Sequence, residues 1–502
     1  MSRINNITRA IFALLFLLFV APLRADEVRV VSSSSSTARA SDDQFELKVS
    51  KDLHFGGGRV TIDHRFGDLN VRTQSGSTVS VRAFIRSSHP DIGKSIRIVA
   101  EEEGNGVSIK TIFPEIHIHG GHVSYSVDMT VTIPPNAQLT AKNQFGETDI
   151  RGLRASSIID NRQGSITFAD ARGGSHSVSN AFGGIDIVDV DGDLTVNNSN
   201  GAITVNNAGG RLTITNRFGS VTVDDAKRDV TIGNANGAIT ALDIGGSLKV
   251  TNAFGNVKAG TVNGTADITT TNAKVDLANI QGSAIVKNSF GSVVAQSVKG
   301  SFTADCENSK VDAANIGGNV KIDTAFGGVT LQNVGGLVDI TTSNGNIKVM
   351  DSGAFTAETR FGSVRAERIR GSADIKGSNG GITLQEISGD VKVRTSFGAA
   401  FISGANGAID VQNDNGAISV ERLRAGGCKP IVLRTSFSSI RVTLPENAGY
   451  SVNARTSFGH IRSALPVTTT SAGDDSLVGT IGRGGCRLEL SNSNGSITIE
   501  RE

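Results

Sequence analysis

A Phe-Gly or Asn-Gly pair, or a close variant of one, returns at an almost constant interval through most of this chain. Its first residue falls at Phe145, Gln163, Phe182, Asn200, Phe218, Asn236, Phe254, Asn272, Phe290, Asn308, Phe326, Asn344, Phe361, Asn379, Phe397 and Asn415. Each step is 18 residues except one of 19 and one of 17. Phe and Asn alternate, so the full period is 36 residues, made of a Phe rung and an Asn rung. Within a rung the apolar residues come two apart, as Leu212 and Ile214, then Val221 and Val223. Period two means short strands with one face inward, and the Gly, Asn and Asp between them are turn residues. So short a unit cannot close a core of its own and has to stack on its copies. The expected fold is all-β: a parallel β-helix, or β-solenoid, with 18-residue rungs, read as right-handed, with irregular β caps at both ends. About sixteen rungs at the strand spacing make a rod on the order of 75 Å long.

Two residues before the Phe/Asn slot stand Asn143, Asn161, Asn180, Asn198, Asn216, Asn234 and Asn252. Identical amides at a spacing of about 4.8 Å can hydrogen-bond along a column, so a structural amide ladder is expected. Later rungs place Thr there, at Thr270, Thr324, Thr342, Thr359 and Thr395. Asn before Gly suits a tight turn because Asn tolerates the left-handed conformation; Phe does not favour it. The slot is therefore read as a corner that permits several shapes. Two readings of its phenylalanines (Phe145, Phe182, Phe218, Phe254, Phe290, Phe326, Phe361 and Phe397) stay open. They pack the corner inward, or they form an outward stripe that grips a ligand or partner.

The ends break the rhythm. Residues 1–25 read as a signal peptide, with Arg3 and Arg9 before an apolar run from Ile11 to Ala21 and cleavage after Ala25. Residues 26–44 read as a Ser-rich linker, 45–140 as a first coil with an antiparallel cap, 141–425 as the regular solenoid and 426–502 as irregular rungs and cap. No second long apolar segment is present, so the mature chain is expected to lack a membrane span. Cleavage removes Arg3, Arg9 and Arg24 and no acid, which takes the formal charge from +1 to −2. A nearly neutral chain without a basic block is a poor partner for nucleic acid or anionic membrane. Three cysteines (Cys306, Cys428 and Cys486) do not make a disulfide framework, although Cys428 and Cys486 both follow Gly-Gly and one bridge is open to them.

Candidate chemistry is sparse. His117, His119 and His122 in "HIHGGH" could meet a metal across a turn, with Glu115 and Asp128 as further ligands, or could simply be a solvated hairpin tip. Asp189, Asp191 and Asp193 in "DVDGD" resemble the start of a calcium loop, but the Gly is misplaced and no closing Glu follows. "GKS" at Gly93–Ser95 lacks the first Gly of a phosphate loop, since Ser88 stands there. Cys306 takes a ladder position and is expected to be buried. No hydrolase signature occurs, acids are scattered over turns, and Trp is absent. No catalytic residue and no cofactor is expected.

"VTIDHRFGDLNV", the series of FG and NG rungs, and the C-terminal "GGCRLELSNSNGSITIE" after "VTLPENAGYSVNARTSFGHI" resemble a bacterial envelope family known as putative adhesins, over Phe45 to Glu502. The resemblance implies an exported, non-enzymatic β-solenoid that adheres or scaffolds, with a protein or glycan partner at the cell envelope. It supplies no catalytic or ligand residues. The alternatives are a periplasmic sensing or partner-binding protein and, third, a polysaccharide-active enzyme. Location is read as periplasm, cell surface or secreted.

Overall fold

The computed structural model describes residues 45–115, 122–424 and 429–502. Residues 1–44, read above as a signal peptide and a Ser-rich linker, lie outside the described residues. One rung shows how the described chain is built. Leu212–Phe218 forms a strand, the chain turns at Gly219, and Val221–Ala226 forms a second strand. The next rung repeats this with Val230–Asn236 and Ile239–Ile244. Leu212 pairs with Val230 and Asn216 with Asn234, in parallel; Val221 pairs with Ile239 and Ala226 with Ile244. Two parallel sheets result, one from each strand of the rung, and their inward side chains fill the space between them. Leu212, Ile214, Val221, Val223 and Ala226 are at most 1% exposed. Each inward residue sits above its equivalent in the next rung, so the core is a set of aliphatic columns.

Two backbone devices set the corners. At the first, the glycine after the slot takes a left-handed φ: 127° at Gly219, 143° at Gly237 and 113° at Gly255. A side chain could not replace its hydrogen, since a Cβ on Gly219 would lie 2.2 Å from the Gly201 carbonyl oxygen. Phe218 and Asn236 themselves keep negative φ. This corrects the reading of the slot as a corner that permits several shapes. Gly absorbs the left-handed conformation, so Phe and Asn fit the same slot equally well.

The second device breaks the alternation of the second strand. Asp225 and Asp243 adopt φ of 56° and 52°, and the following Ala226 and Ile244 re-enter the core. The same left-handed position recurs at Asp170, Asp189, Asn207, Asn279, Asn315, Asn333 and Asp351. Asp and Asn tolerate that conformation best among non-glycine residues. This column was not read from the sequence.

The ends are closed by insertion. The rung made of Arg59–Asp63 and Leu69–Thr73 lies between two others, flanked by Gln138–Phe145 and Thr148–Arg151 on one side and by Gly106–Ile112 and Tyr125–Ile133 on the other. Arg97–Glu103 runs antiparallel to Gly106–Ile112, Thr78–Ser87 antiparallel to Tyr125–Ile133, and Phe45–His54 antiparallel to Thr78–Ser87. The other end mirrors this. Cys486–Asn494 inserts between Ile431–Thr435 and Tyr450–Phe458, and Ile497–Arg501 between Ile440–Leu444 and Ile461–Ser463. Ser476–Ile481 and Val467–Ala472 then turn the outer edge antiparallel.

Deleting residues 486–502 should therefore remove an internal rung. We expect residues 431–485 to become protease-sensitive while the rungs before residue 424 keep their amide protection, because solenoid rungs depend on nearest neighbours. Hydrogen exchange read by mass spectrometry checks this; protection that stays uniform to residue 485 counts against the insertion.

Candidate functional site

The slot phenylalanines face outward. Phe145 is 37% exposed, Phe182 54%, Phe218 44%, Phe254 52%, Phe290 48%, Phe326 53%, Phe361 54% and Phe397 53%. The inward-packing reading is therefore overturned: the corner glycine swings the slot side chain clear of the core. In register, Phe182 pairs with Asn200 and Asn200 with Phe218, and the alternation continues up the rod.

The column continues where the sequence rhythm stops. Phe437 and Phe458 are 63% and 76% exposed. Asn494 pairs with Phe458 on one side, and its backbone N–H donates to the Ser436 carbonyl at 2.8 Å on the other. The spatial order is Phe437, Asn494, Phe458. Insertion of the last strands thus restores the alternation that the sequence order hides. At the opposite end Phe66 stacks on Phe145 with centroids 5.0 Å apart and planes 12° from parallel. Phe113 and Tyr125 meet Phe66 edge-on at 5.0 and 5.2 Å, so a half-buried aromatic cluster ends the column.

Directly behind the column lies the Asn ladder, and its bonding differs from the expectation. The amides do not bond one another. Each Nδ2 donates to a corner glycine carbonyl of the preceding rung: Asn143 to Gly67 at 3.1 Å, Asn161 to Gly146 at 3.0 Å, Asn180 to Gly164 at 2.8 Å and Asn198 to Gly183 at 3.0 Å. Asn216, Asn234 and Asn252 do the same to Gly201, Gly219 and Gly237, at 3.2, 3.1 and 3.0 Å. Further along, Thr324, Thr359 and Thr395 donate to the carbonyl of the following Phe. Cys306 occupies the ladder between Asn288 and Thr324 as a free thiol. Burial pushes its pKa up to about 11, which keeps it protonated and unreactive.

His117 and His119 lie outside the described residues, as does Cys428; His122 is exposed. Asp128 is engaged by Arg86. Among the described residues no group of three His, Cys, Asp or Glu is placed to hold a metal. In "DVDGD" each carboxylate has a separate task. Asp189 accepts from Asn207 Nδ2 at 2.5 Å, Asp191 pairs with Arg172 at 2.9 Å, and Asp193 accepts the Arg211 backbone N–H at 2.9 Å. Cys486 is disulfide-bonded.

Two buried histidines were not singled out by the sequence. His176 receives a hydrogen bond from the Ser157 hydroxyl at Nδ1 and donates from Nε2 to the Gly173 carbonyl, both at 2.9 Å. Burial lowers its pKa. Ser157 and His176 are each 2% exposed and pair across two rungs at a position that carries Leu elsewhere, so they form a polar core contact. His64 is fully buried, and its Nδ1 lies 3.1 Å from Thr111 Oγ1. Its Nε2 lies near the backbone of Gly67 and Val127 without hydrogen-bond geometry. Burial lowers its pKa to about 4, against smaller opposing pulls from the Val127 and Gly67 backbone and then from Asp128 and Asp68.

These features define a two-sheet parallel β-solenoid with an uncovered aromatic column along one corner. Residues 336–500 match the family model described as Toastrack DUF4097, and over that stretch the chain is similar to this family. The chain also matches the crystal structure of a "putative cell adhesion protein" from Clostridium sporogenes ATCC 15579, at 7% identity and a TM-score of 0.15, covering 91% of this chain and 100% of that one. No curated protein matches.

Two outcomes follow from the site. Asn198→Ala leaves the Gly183 carbonyl without its side-chain donor and should cost about 1–3 kcal/mol, whereas Phe218→Ala at the exposed slot should cost under about 1 kcal/mol. Denaturant melts of the two variants decide this, and equal losses would contradict the assigned division. His64 binds its proton less readily folded than unfolded, where its pKa is near 6.5. Its neutral form therefore supports the fold above pH 6.5, and that support is lost as pH falls from 6.5 towards 4, by about 3 kcal/mol in all. His64→Leu should flatten this part of the stability profile of residues 45–145, read by hydrogen exchange; an unchanged slope assigns the acid sensitivity elsewhere.

Proposed function

We propose that this chain is an exported, non-enzymatic β-solenoid that binds or scaffolds at the bacterial cell envelope, and that the Phe column is its contact face. The observation that carries the reading is the exposure of Phe182, Phe254, Phe326 and Phe397, each above half of its surface, in one column where Phe and Asn alternate. Soluble domains rarely leave so long an apolar line uncovered unless something binds it. The rung core does not need these rings, because the aliphatic columns and the Gly–Asn contacts close without them.

The titrating groups support the non-enzymatic part. Asp351 is held below the usual carboxylate range by its hydrogen bonds with Arg368, and Arg172 is held by Asp191. Such paired surface charges serve the rungs, and Asp351 is kept ionised rather than poised as a general acid. A hollow of about 350 Å³ near the C-terminal end is lined by Ile409, Leu423, Ile431, Pro445 and Tyr450, with Arg424 and Lys429 as its charged groups. Sugar-cleaving sites generally need two facing carboxylates, which this lining does not supply. Among the described residues no helix is long and apolar enough to cross a membrane, so envelope contact would run through the rod's surface.

The triple variant Phe218→Ser, Phe254→Ser and Phe290→Ser should pellet with isolated envelopes at least tenfold less than the parent, with its melting temperature within a few degrees. Protease added to intact cells, beside a lysed control, separates surface from periplasm. Equal pelleting by parent and variant would remove the Phe column from the contact face.

A further inference from the structure

We infer that the Phe column pairs with the Phe column of a second copy of this chain, antiparallel, each ring seated over an Asn of the other. The inference deepens the reading of that column as a contact face and rests on it. Along the column, consecutive slots are one strand spacing apart, so rings stand roughly 9.6 Å apart with an Asn rung between them. A benzene ring is about 3.4 Å thick, and the gap left between two rings admits one more ring. The short Asn at the bottom of the gap leaves that space open.

A partner that uses every gap at once must carry rings at the same repeat over the same length, and a second copy meets both conditions by construction. A two-fold axis parallel to the rod would place Phe against Phe at every level. A two-fold axis perpendicular to the rod, between Phe290 and Asn308, sets each slot Phe from Phe145 to Phe397 of one copy opposite an Asn of the other. Phe145 then meets Asn494 and Phe182 meets Asn415, while at the two ends Phe437 meets the amide of Gln163 and Phe458 meets Phe66. Such an interface is isologous and closes on itself.

The area is sufficient. Ten slot rings from Phe145 to Phe458 are each about half exposed, which is about 100 Å² apiece and on the order of 1,000 Å² for the column. A stable pair needs about 800 Å² from each partner, with an apolar centre. The flanks do not oppose this contact. The residue before the slot is most often small, as at Ala181, Ala235, Ala253 and Ala325. With the axis at Phe290 and Asn308, Arg217 faces Ser378 and Glu307 faces Ser289, so no like charges meet there.

Sedimentation velocity of the purified chain from about 1 to 50 μM tests the pairing. We expect a dimer that Phe218→Ser, Phe254→Ser, Phe290→Ser and Phe326→Ser together convert to monomer. The decisive variant fills the gaps: Asn236→Phe, Asn272→Phe and Asn308→Phe. Neighbouring rungs accept Phe at adjacent slots, as Phe66 and Phe145 do. Gap filling adds apolar surface yet blocks insertion, so the dimer dissociation constant should rise at least tenfold. A monomeric parent overturns the inference, as does a gap-filled chain that associates as tightly or more tightly. Envelope pelleting of the same samples keeps the two proposals apart: a monomeric parent that still pellets through its Phe column refutes pairing and leaves the contact face in place. A dimer that does not pellet refutes the contact reading alone.

Discussion

From Asn143 to Asn252 the outer surface of this solenoid depends on one repeated hydrogen bond, from a buried asparagine amide to the corner glycine carbonyl of the rung before. Asn234 holding Gly219 is the representative case, at 3.1 Å. The glycine is required twice over, by its left-handed φ and by the backbone oxygen that would crowd a Cβ. A glycine corner alone would be loose, since glycine gains most from unfolding. The amide ties it down, and a buried carbonyl acquires the partner that burial demands. With the corner fixed this way, the slot residue beside it has no structural duty. Phe and Asn can then alternate without altering a single backbone pairing.

The rod's ends obey the same economy of pairing. A parallel solenoid stopped at any rung exposes a full strand edge on each sheet. Here the outermost parallel strands, Gly106–Ile112 and Tyr450–Phe458, come from within the described sequence, and each is covered by an antiparallel neighbour. The first and last rungs by sequence lie one level inside, held on both faces. A cap made this way ties local fraying to the loss of two interfaces at once.

Much of the architecture could be read from residue order, because strand period and rung period are both local and repeat many times. Leu212, Ile214, Val221 and Val223 announce their inward face by spacing alone, and the stacking of Asn216 on Asn234 follows from the period. What the Asn side chains bond was not legible. That depends on where the glycine carbonyl points, which is a matter of φ at Gly201 and Gly219. The orientation of Phe218 was hidden for the same reason. The column of Asp225 and Asp243 was hidden differently: Asp in a turn looks ordinary until its φ is known. At the C-terminal end the pattern seemed to fail between Phe437 and Phe458. The missing Asn494 is supplied by chain that comes later, and no reading in sequence order brings it there. His64 and His176 were legible only through the rung register: His64 precedes Phe66 as Asn143 precedes Phe145, and His176 precedes Phe182 as Leu194 precedes Asn200, both inward places.

The alternation itself carries the functional argument. If the slot needed only a small turn former, Asn would serve at every rung, and it already serves at Asn200, Asn236, Asn272 and Asn308. If the purpose were a greasy surface, Phe at every rung would give twice the area, and the stack of Phe66 on Phe145 demonstrates that the corner tolerates it. Rings stacked at each level would satisfy one another and leave a flat ridge. Rings at every second level stay apart, each with both faces open to an inserted group. A spaced aromatic comb of this kind cannot complete itself within the chain. Aromatic faces gain from a ring seated beside them only when it comes from outside, and only a partner with the same spacing can engage all of them together.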